Sequence, residues 1–295
     1  MPPLDDFPKQ LEELFAYLDN RATNQVRVVP VTPARGLILD RTGHPLVGNV
    51  VVEQITLDRA AAKAHPEVVG RLAAVIGRTP AQITSALDNQ QFSLYRPVPV
   101  LADAPLATIL YLKEHQAEFP GVESVQTTER TYPQVEPAGP AQSAYPAAQV
   151  LGYVGTINNA ELASRAAQGY QAGDAFGQAG LEYQYEQALH GTVGRERLEV
   201  DSQGRVAGVL ASTPGVPGAD VVTNIDTNLQ QVADSALATQ VESLRSTFDP
   251  KCNNKAGCYP GATGGAVVVM SPKTGAVYAM SSYPSYDPAV WVGGI

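Results

Sequence analysis

The triplet Lys273-Thr274-Gly275 is where this sequence first suggests covalent chemistry, because serine acyl-transfer enzymes place Lys-Thr-Gly beside their nucleophile. Such a site also needs a serine with lysine one helical turn on, as S-x-x-K, and an S-x-N triplet to complete the proton relay. No serine from Ser85 to Ser285 has lysine three positions later, and no S-x-N occurs. The triplet follows Ser271-Pro272 between two β-rich runs. That context predicts a hairpin turn in which Gly275 supplies a positive φ and Lys273 is solvated. No catalytic residue is therefore assigned within this chain.

Other constellations carry less. His44, His65, His115 and His190 fall on separate elements without metal-ligand spacing, so solvated or capping roles are expected and no metal or cofactor site is predicted. The Gly-rich run 173–180 lacks G-x-G-x-x-G and any following Lys-Ser/Thr, which argues against a phosphate cradle. Glu12-Glu13 reads as a wet helix face rather than a glycosidase pair. Cys252 and Cys258 lie in a polar Asn- and Gly-rich loop. They can close a small disulfide ring in an oxidising compartment or remain two thiols, while a metal site would want His or further Cys nearby.

These groups must be positioned by a chain of 295 residues, 44 % hydrophobic and 17 % charged, enough to bury a large core in two or more domains. A net charge of -9 opposes a phosphate-backbone partner, so nucleic acid is set aside. No run reaches the ~18 apolar residues of a membrane helix, and the start lacks the build of a secretory signal. Apolar residues at three- and four-residue intervals predict an entry helix over 4–20. β-Branched runs punctuated by Pro and Gly predict strands over 26–58, with a tight turn at 40–43. Helices are predicted at 65–77, at 79–89 with a Thr79-Pro80-Gln82 cap, and at 103–119, before a strand at 122–132. Residues 133–147 read as an ordered crossing loop, 176–191 as a helix ended by Gly191, and 195–212 as two strands around a turn at 201–204. A strand at 220–226 leads to a helix over 227–248, capped by Thr227 or Asp226. Its apolar face comprises Leu229, Val232, Ala233, Ala236, Leu237, Val241 and Leu244 and is expected to pack on the hairpin 265–282.

Four ordered motifs now bring a resemblance. Arg35-Gly36-Leu37-Ile38-Leu39-Asp40-Arg41-Thr42-Gly43, Arg130-Thr131-Tyr132-Pro133, Gly152-Tyr153-Val154-Gly155 and Gly177-Gln178-Ala179-Gly180-Leu181-Glu182 resemble the non-catalytic half of class B penicillin-binding proteins. Residues 24–31, 118–122 and 291–295 make the chain most similar to the elongation-type members, penicillin-binding protein 2. The resemblance implies an α+β fold: an extended multi-subdomain pedestal of β-strands and inserted helices, followed by the first helix and β-hairpin of a penicillin-binding transpeptidase (β-lactamase-like) fold. It implies a juxtamembrane-type entry helix over 1–23, a pedestal or dimerisation domain over 24–218 with a helical insertion about 59–120, and an incomplete transpeptidase portion over 219–295.

The parent protein would then be a peptidoglycan D,D-transpeptidase of cell-wall elongation, extracytoplasmic and anchored by a preceding transmembrane helix, with its nucleophilic serine beyond Ile295. The implied partners are a glycan-polymerising membrane glycosyltransferase, a cell-shape scaffold protein and peptidoglycan, with β-lactams bound only by the part beyond this chain. The alternative is a stand-alone interaction scaffold on the same pedestal fold. Two positions depart from the pattern: Val135 stands where the second motif usually has glycine, and Gln149 where a histidine often precedes G-Y-V-G. The cysteine loop reads as an insertion, an extracytoplasmic staple.

Arg35, Asp40, Arg41, Arg130 and Glu182 are charges in apolar or Gly-rich surroundings, where an unpaired charge is costly to desolvate. Pairing of Glu182 with Arg35 or Arg41 is expected, fixing the pedestal against the catalytic part. Gly36, Gly43, Pro133, Gly177 and Gly180 complete the expected structural motif.

Overall fold

The structure is a computed structural model and describes residues 26–89, 97–135, 145–165, 168, 170, 174–200, 206–247 and 261–292. The predicted entry helix, the turn at 201–204, the middle of the crossing loop and the cysteine pair lie outside the described residues.

In chain order the strands are β1 (Val26–Val31), β2 (Ile38–Leu39), β3 (Pro45–Leu57), β4 (Val98–Leu101), β5 (Val122–Thr131), β6 (Val154–Thr156), β7 (Ala175–Gly177), β8 (Gly194–Val200), β9 (Val206–Thr213), β10 (Val221–Val222), β11 (Gly265–Met270) and β12 (Val277–Tyr283). The helices are α1 (Arg59–Ala64), α2 (Glu67–Ile76), α3 (Pro80–Asp88), α4 (Leu106–Glu114), α5 (Ala148–Leu151), α6 (Asn159–Arg165), α7 (Gly180–Gln184), α8 (Glu186–His190) and α9 (Thr227–Ser246). Contacts divide the chain into two units, of which one contains the described residues up to Pro33 with 54–125 and 193–216, and the other 34–53, 126–192 and 217–295.

The first unit joins the helical insertion to an antiparallel sheet in the order β1-β8-β9. Its helices form where the sequence places caps. Asp58 accepts from the Ala61 N–H, and Thr79 and Gln82 close a reciprocal capping box with Pro80 in the first turn. Gly77, at φ 67°, ends α2. Ile55 and Leu57 of β3, Val68 and Leu72 of α2, Ile83 of α3, and Ile109 and Leu112 of α4 make the core. At about 2 kcal/mol for each such side chain removed from water, this cluster holds the insertion together.

The second unit contains the motif residues. β10 joins β2 in parallel, Val221 opposite Ile38, and β2 pairs antiparallel with the start of β3, Ile38 opposite Val47. Ile38, Leu46, Val47, Tyr132, Leu151, Leu189 and Ile225 are buried together. β6 and β7 form a short antiparallel pair, and β11 and β12 a hairpin on which α9 packs.

Two expectations need correction here. Residues 176–191 are not one helix: Ala175–Gly177 is a strand paired with β6, Gly180 at φ 59° opens the first of two five-residue helices, and Tyr185 at φ -105° separates it from the second. The buried face of α9 is also rotated from the apolar stripe. Gln230, Ala233, Leu237, Ala238 and Val241 are buried, while Val232 is 65 % exposed and Leu244 37 %. A two-stranded hairpin covers only a narrow strip of a helix, and Gln230 competes for that strip by hydrogen-bonding the strand. Its Oε1 accepts from the Met280 N–H at 2.8 Å and its Nε2 donates to the Met280 carbonyl at 3.0 Å.

Candidate functional site

The D-R-T-G turn forms as its residue types require. Asp40 Oδ1 accepts from the backbone N–H groups of Thr42 and His44 at 2.8 and 2.9 Å and from the Thr42 hydroxyl at 2.7 Å, and Gly43 closes the turn at φ 89°. Burial pushes the Asp40 carboxyl up, but these bonds and one from Thr227 outweigh it and hold the group well below the usual carboxylate range.

Three of the four motifs meet in one buried ion cluster. Glu182, on α7 and fully buried, accepts from Arg35 Nε at 2.7 Å through Oε2 and from Arg130 Nε at 2.7 Å through Oε1. Arg130 Nη1 donates to the Gly36 carbonyl at 2.7 Å and to Asn49 Oδ1 at 3.0 Å, while Asn49 donates to the Arg35 carbonyl at 2.6 Å. Arg35 also pairs with Glu186, whose carboxylate accepts from the Tyr170 hydroxyl at 2.7 Å and the Gly177 N–H at 2.8 Å. Two guanidiniums thus face two carboxylates, so the desolvated charges balance. Burial alone would push the Glu186 carboxyl up, but Arg35 and the two donors hold it below its ordinary value. Burial pushes the Tyr132 phenol up, reinforced by Glu182 nearby, so it stays protonated while its oxygen accepts from the Val154 N–H at 3.1 Å.

The glycines let backbones approach this cluster. A Cβ on Gly36 would stand 2.1 Å from the Ala219 carbonyl oxygen, and one on Gly177 2.2 Å from that of Glu182. Gly180 is at φ 59°. Pro133 is exposed beyond the end of β5.

Arg41 is not a partner of Glu182. Its guanidinium lies 3.6 Å from Asp226 and over the Tyr278 ring at 5.1 Å. His190, expected in a solvated or capping role, is buried and lies tilted against Tyr170, with ring centroids 4.3 Å apart and planes at 39°. Glu186, Asn49, Tyr170 and Gln230 were missed by the sequence reading. The i, i+4 spacing of Glu182 and Glu186 was the available signal for Glu186, since on the single helix expected over 176–191 it would place both carboxylates on one side. Gln149, in the position where histidine was expected, donates to the Pro284 carbonyl at 2.9 Å.

Lys273 and Thr274 sit at the reverse of the β11–β12 hairpin. The Gly275 N–H donates to the Ser271 carbonyl at 2.9 Å, Gly275 is at φ 74°, and Lys273 is exposed. Among the described residues no group of three or more His, Cys, Asp or Glu could hold a metal ion, and no helix is long and apolar enough to cross a membrane.

The motif residues are thus joined by a buried Arg-Glu cluster in an α+β body that also carries a helix packed on a β-hairpin. Residues 30–223 match the penicillin-binding protein dimerisation domain, and the chain belongs to that family. Peptidoglycan D,D-transpeptidase MrdA of Escherichia coli strain K12 is 30 % identical over 291 residues, covering 97 % of this chain and 41 % of that protein. MrdA of Salmonella typhimurium strain SL1344 is 31 % identical over 295 residues, covering 97 % and 42 %. The chain thus spans about two-fifths of the length of the curated relatives it matches. In solved structures, the complex between penicillin-binding protein 2 and MreC from Helicobacter pylori contains a chain with the same fold. The TM-score is 0.65 at 23 % identity, over 92 % of this chain and 45 % of that one.

Proposed function

We propose that this chain is the non-catalytic pedestal of a peptidoglycan D,D-transpeptidase of cell-wall elongation, which cross-links stem peptides through a serine acyl-enzyme formed outside residues 1–295. The observation that carries this reading is the pairing of motif residues from three distant segments, Arg35, Arg130 and Glu182, in a single buried cluster beside a helix-on-hairpin unit. Arg35, Gly36, Asp40, Arg41, Gly43, Arg130, Pro133, Gly177, Gly180 and Glu182 are its structural residues. The domain plan remains an entry helix over 1–23, a pedestal over 24–218 and the opening of a transpeptidase fold over 219–295.

Two features support this assignment of the chain's end. Among the described residues β11 has one free edge, which further strands would pair, and its Val268 and Met270 are 53 % and 52 % exposed on one face, which another layer would cover. The reading also carries an extracytoplasmic location with a membrane anchor in the parent, and it leaves the Cys252–Cys258 pair a disulfide candidate.

Its partners are a glycan-polymerising membrane glycosyltransferase and a cell-shape scaffold protein. For the scaffold, α4 of the insertion offers a surface: Leu106, Leu110 and Tyr111 are 70 %, 53 % and 41 % exposed on a helix whose Ile109 and Leu112 already fill the core. A helix apolar on both sides suits a protein partner. Incubation of the parent and of this chain with nascent, uncross-linked peptidoglycan tests the reading. Cross-linked muropeptides should appear with the parent alone, and a parent that makes none overturns the assignment.

A further inference from the structure

The two oxygens of the Asp40 carboxylate have different partners. Oδ1 closes the D-R-T-G turn by itself, accepting from Thr42 and His44. Oδ2 accepts from the Thr227 hydroxyl at 2.8 Å, on the first residue of α9 and 187 positions away. The turn does not need this second bond, since an Asx-type turn is complete with one oxygen. The helix does not need it as a cap either, because Asp226 is the N-cap and accepts from the Leu229 N–H. The Asp40–Thr227 bond is therefore spare to both elements and serves to join them.

Neighbouring contacts act in the same direction. The Arg41 N–H donates to the Ile225 carbonyl at 2.9 Å, and the Asp226 N–H donates to the Tyr278 carbonyl at 2.8 Å. The negative Asp40 carboxylate also lies at the positive end of a 20-residue helix. One turn further on, Gln230 clamps both backbone groups of Met280, and Asp234 accepts from the Ser281 hydroxyl. The helix is gripped at its start by the turn and immediately afterwards by β12.

We propose that Asp40 and Thr227 are positioning residues for acyl transfer. Their bond sets where α9 begins, and the Gln230 clamp passes that placement to β12, hence to any strand that completes the sheet. This inference rests on the reading of the chain as the pedestal of a transpeptidase.

The test uses the full-length parent with Thr227→Val, Thr227→Ser and Asp40→Asn, and follows the rate of acylation by a fluorescent penicillin together with melting temperature. Thr227→Val keeps the shape of the side chain and removes the hydroxyl. Its acylation rate constant should fall on the order of tenfold, as misplacement of reacting groups does, while the initial non-covalent affinity and the melting temperature change little. Thr227→Ser should restore the rate. A Thr227→Val enzyme that acylates like wild type overturns the latch, as does a loss that merely tracks the melting temperature or that serine does not restore. An unlabelled wild-type parent overturns the transpeptidase reading instead. In that case, hydrogen exchange of the α9 amides in this chain still judges the latch: faster exchange near Leu229 in Thr227→Val upholds it as a structural join, and unchanged exchange removes it.

Discussion

Glu182 and Arg130 stand 52 positions apart in sequence and meet through a 2.7 Å Nε–Oε1 bond, with the glutamate fully buried and the arginine nearly so. Removal of Glu182 strands the Arg130 charge, whereas Glu182 keeps Arg35 if Arg130 is lost. Glu182→Gln leaves Arg35 with Glu186 but gives Arg130 no carboxylate among the groups described above. It should destabilise the chain by about 3 to 5 kcal/mol, read as a lower urea midpoint at unchanged m-value. A midpoint equal to wild type would mean that the cluster contributes no more than exposed pairs do, ~0 to 1 kcal/mol each.

The pH dependence of stability follows from Glu186 and Asp40. Burial opposes ionisation of each, but the Arg35 pairing of Glu186 and the donors around Asp40 prevail, so both carboxyls titrate lower in the folded state than in the unfolded. A lowered folded value means that stability is fully present above the unfolded carboxylate range, about 4, and is lost as pH falls below it. The melting temperature should be level from neutral pH to about 5 and then decline. Asp40→Asn should melt lower at neutral pH and lose less on acidification. Parallel pH profiles for the two proteins would contradict this.

Glycine substitutions should have opposite signs at two positions. A Cβ at Gly36 meets the Ala219 carbonyl at 2.1 Å, whereas at Gly70, exposed in α2, it meets nothing within 4 Å. Gly36→Ala is expected to destabilise by more than about 2 kcal/mol. Gly70→Ala should stabilise by roughly 0.5 to 1 kcal/mol through helix propensity. Chemical denaturation of both variants measures the difference.

These cases also mark what was legible in the sequence. Local rules found the Thr79 capping box, the D-R-T-G turn and the Lys273-Thr274-Gly275 hairpin because each depends on residues within a few positions of one another. The Arg35–Glu182 pair could be anticipated because both charges stand among apolar or small residues. Glu186 and Gln230 could not be placed by hydropathy, which scores both as solvent-facing. One is buried by Arg35, Tyr170 and the Gly177 N–H, the other by a match of its amide to the backbone of Met280, and those partners come together only in the fold. The division of 176–191 into strand and short helices was hidden for a related reason: Gly177 is needed for close approach to Glu182, a contact that periodicity does not record.

Gln230 gives a fourth prediction. Gln230→Leu keeps an apolar side chain on the buried strip but leaves the Met280 N–H and carbonyl without these partners. A loss of about 2 to 3 kcal/mol is expected, with Val232→Leu, on the exposed side of α9, within about 0.5 kcal/mol of wild type. Equal stability of the two variants would show that α9 is held by apolar contact alone.

The central claim, a pedestal whose chemistry lies elsewhere in the parent, is tested most directly by intact mass after exposure to penicillin. The parent should gain the mass of one penicilloyl group and this chain none. A penicilloyl adduct on the 295-residue chain itself would contradict the account by placing a nucleophile within it, and a parent that stays unmodified would leave an interaction scaffold in place of the enzyme.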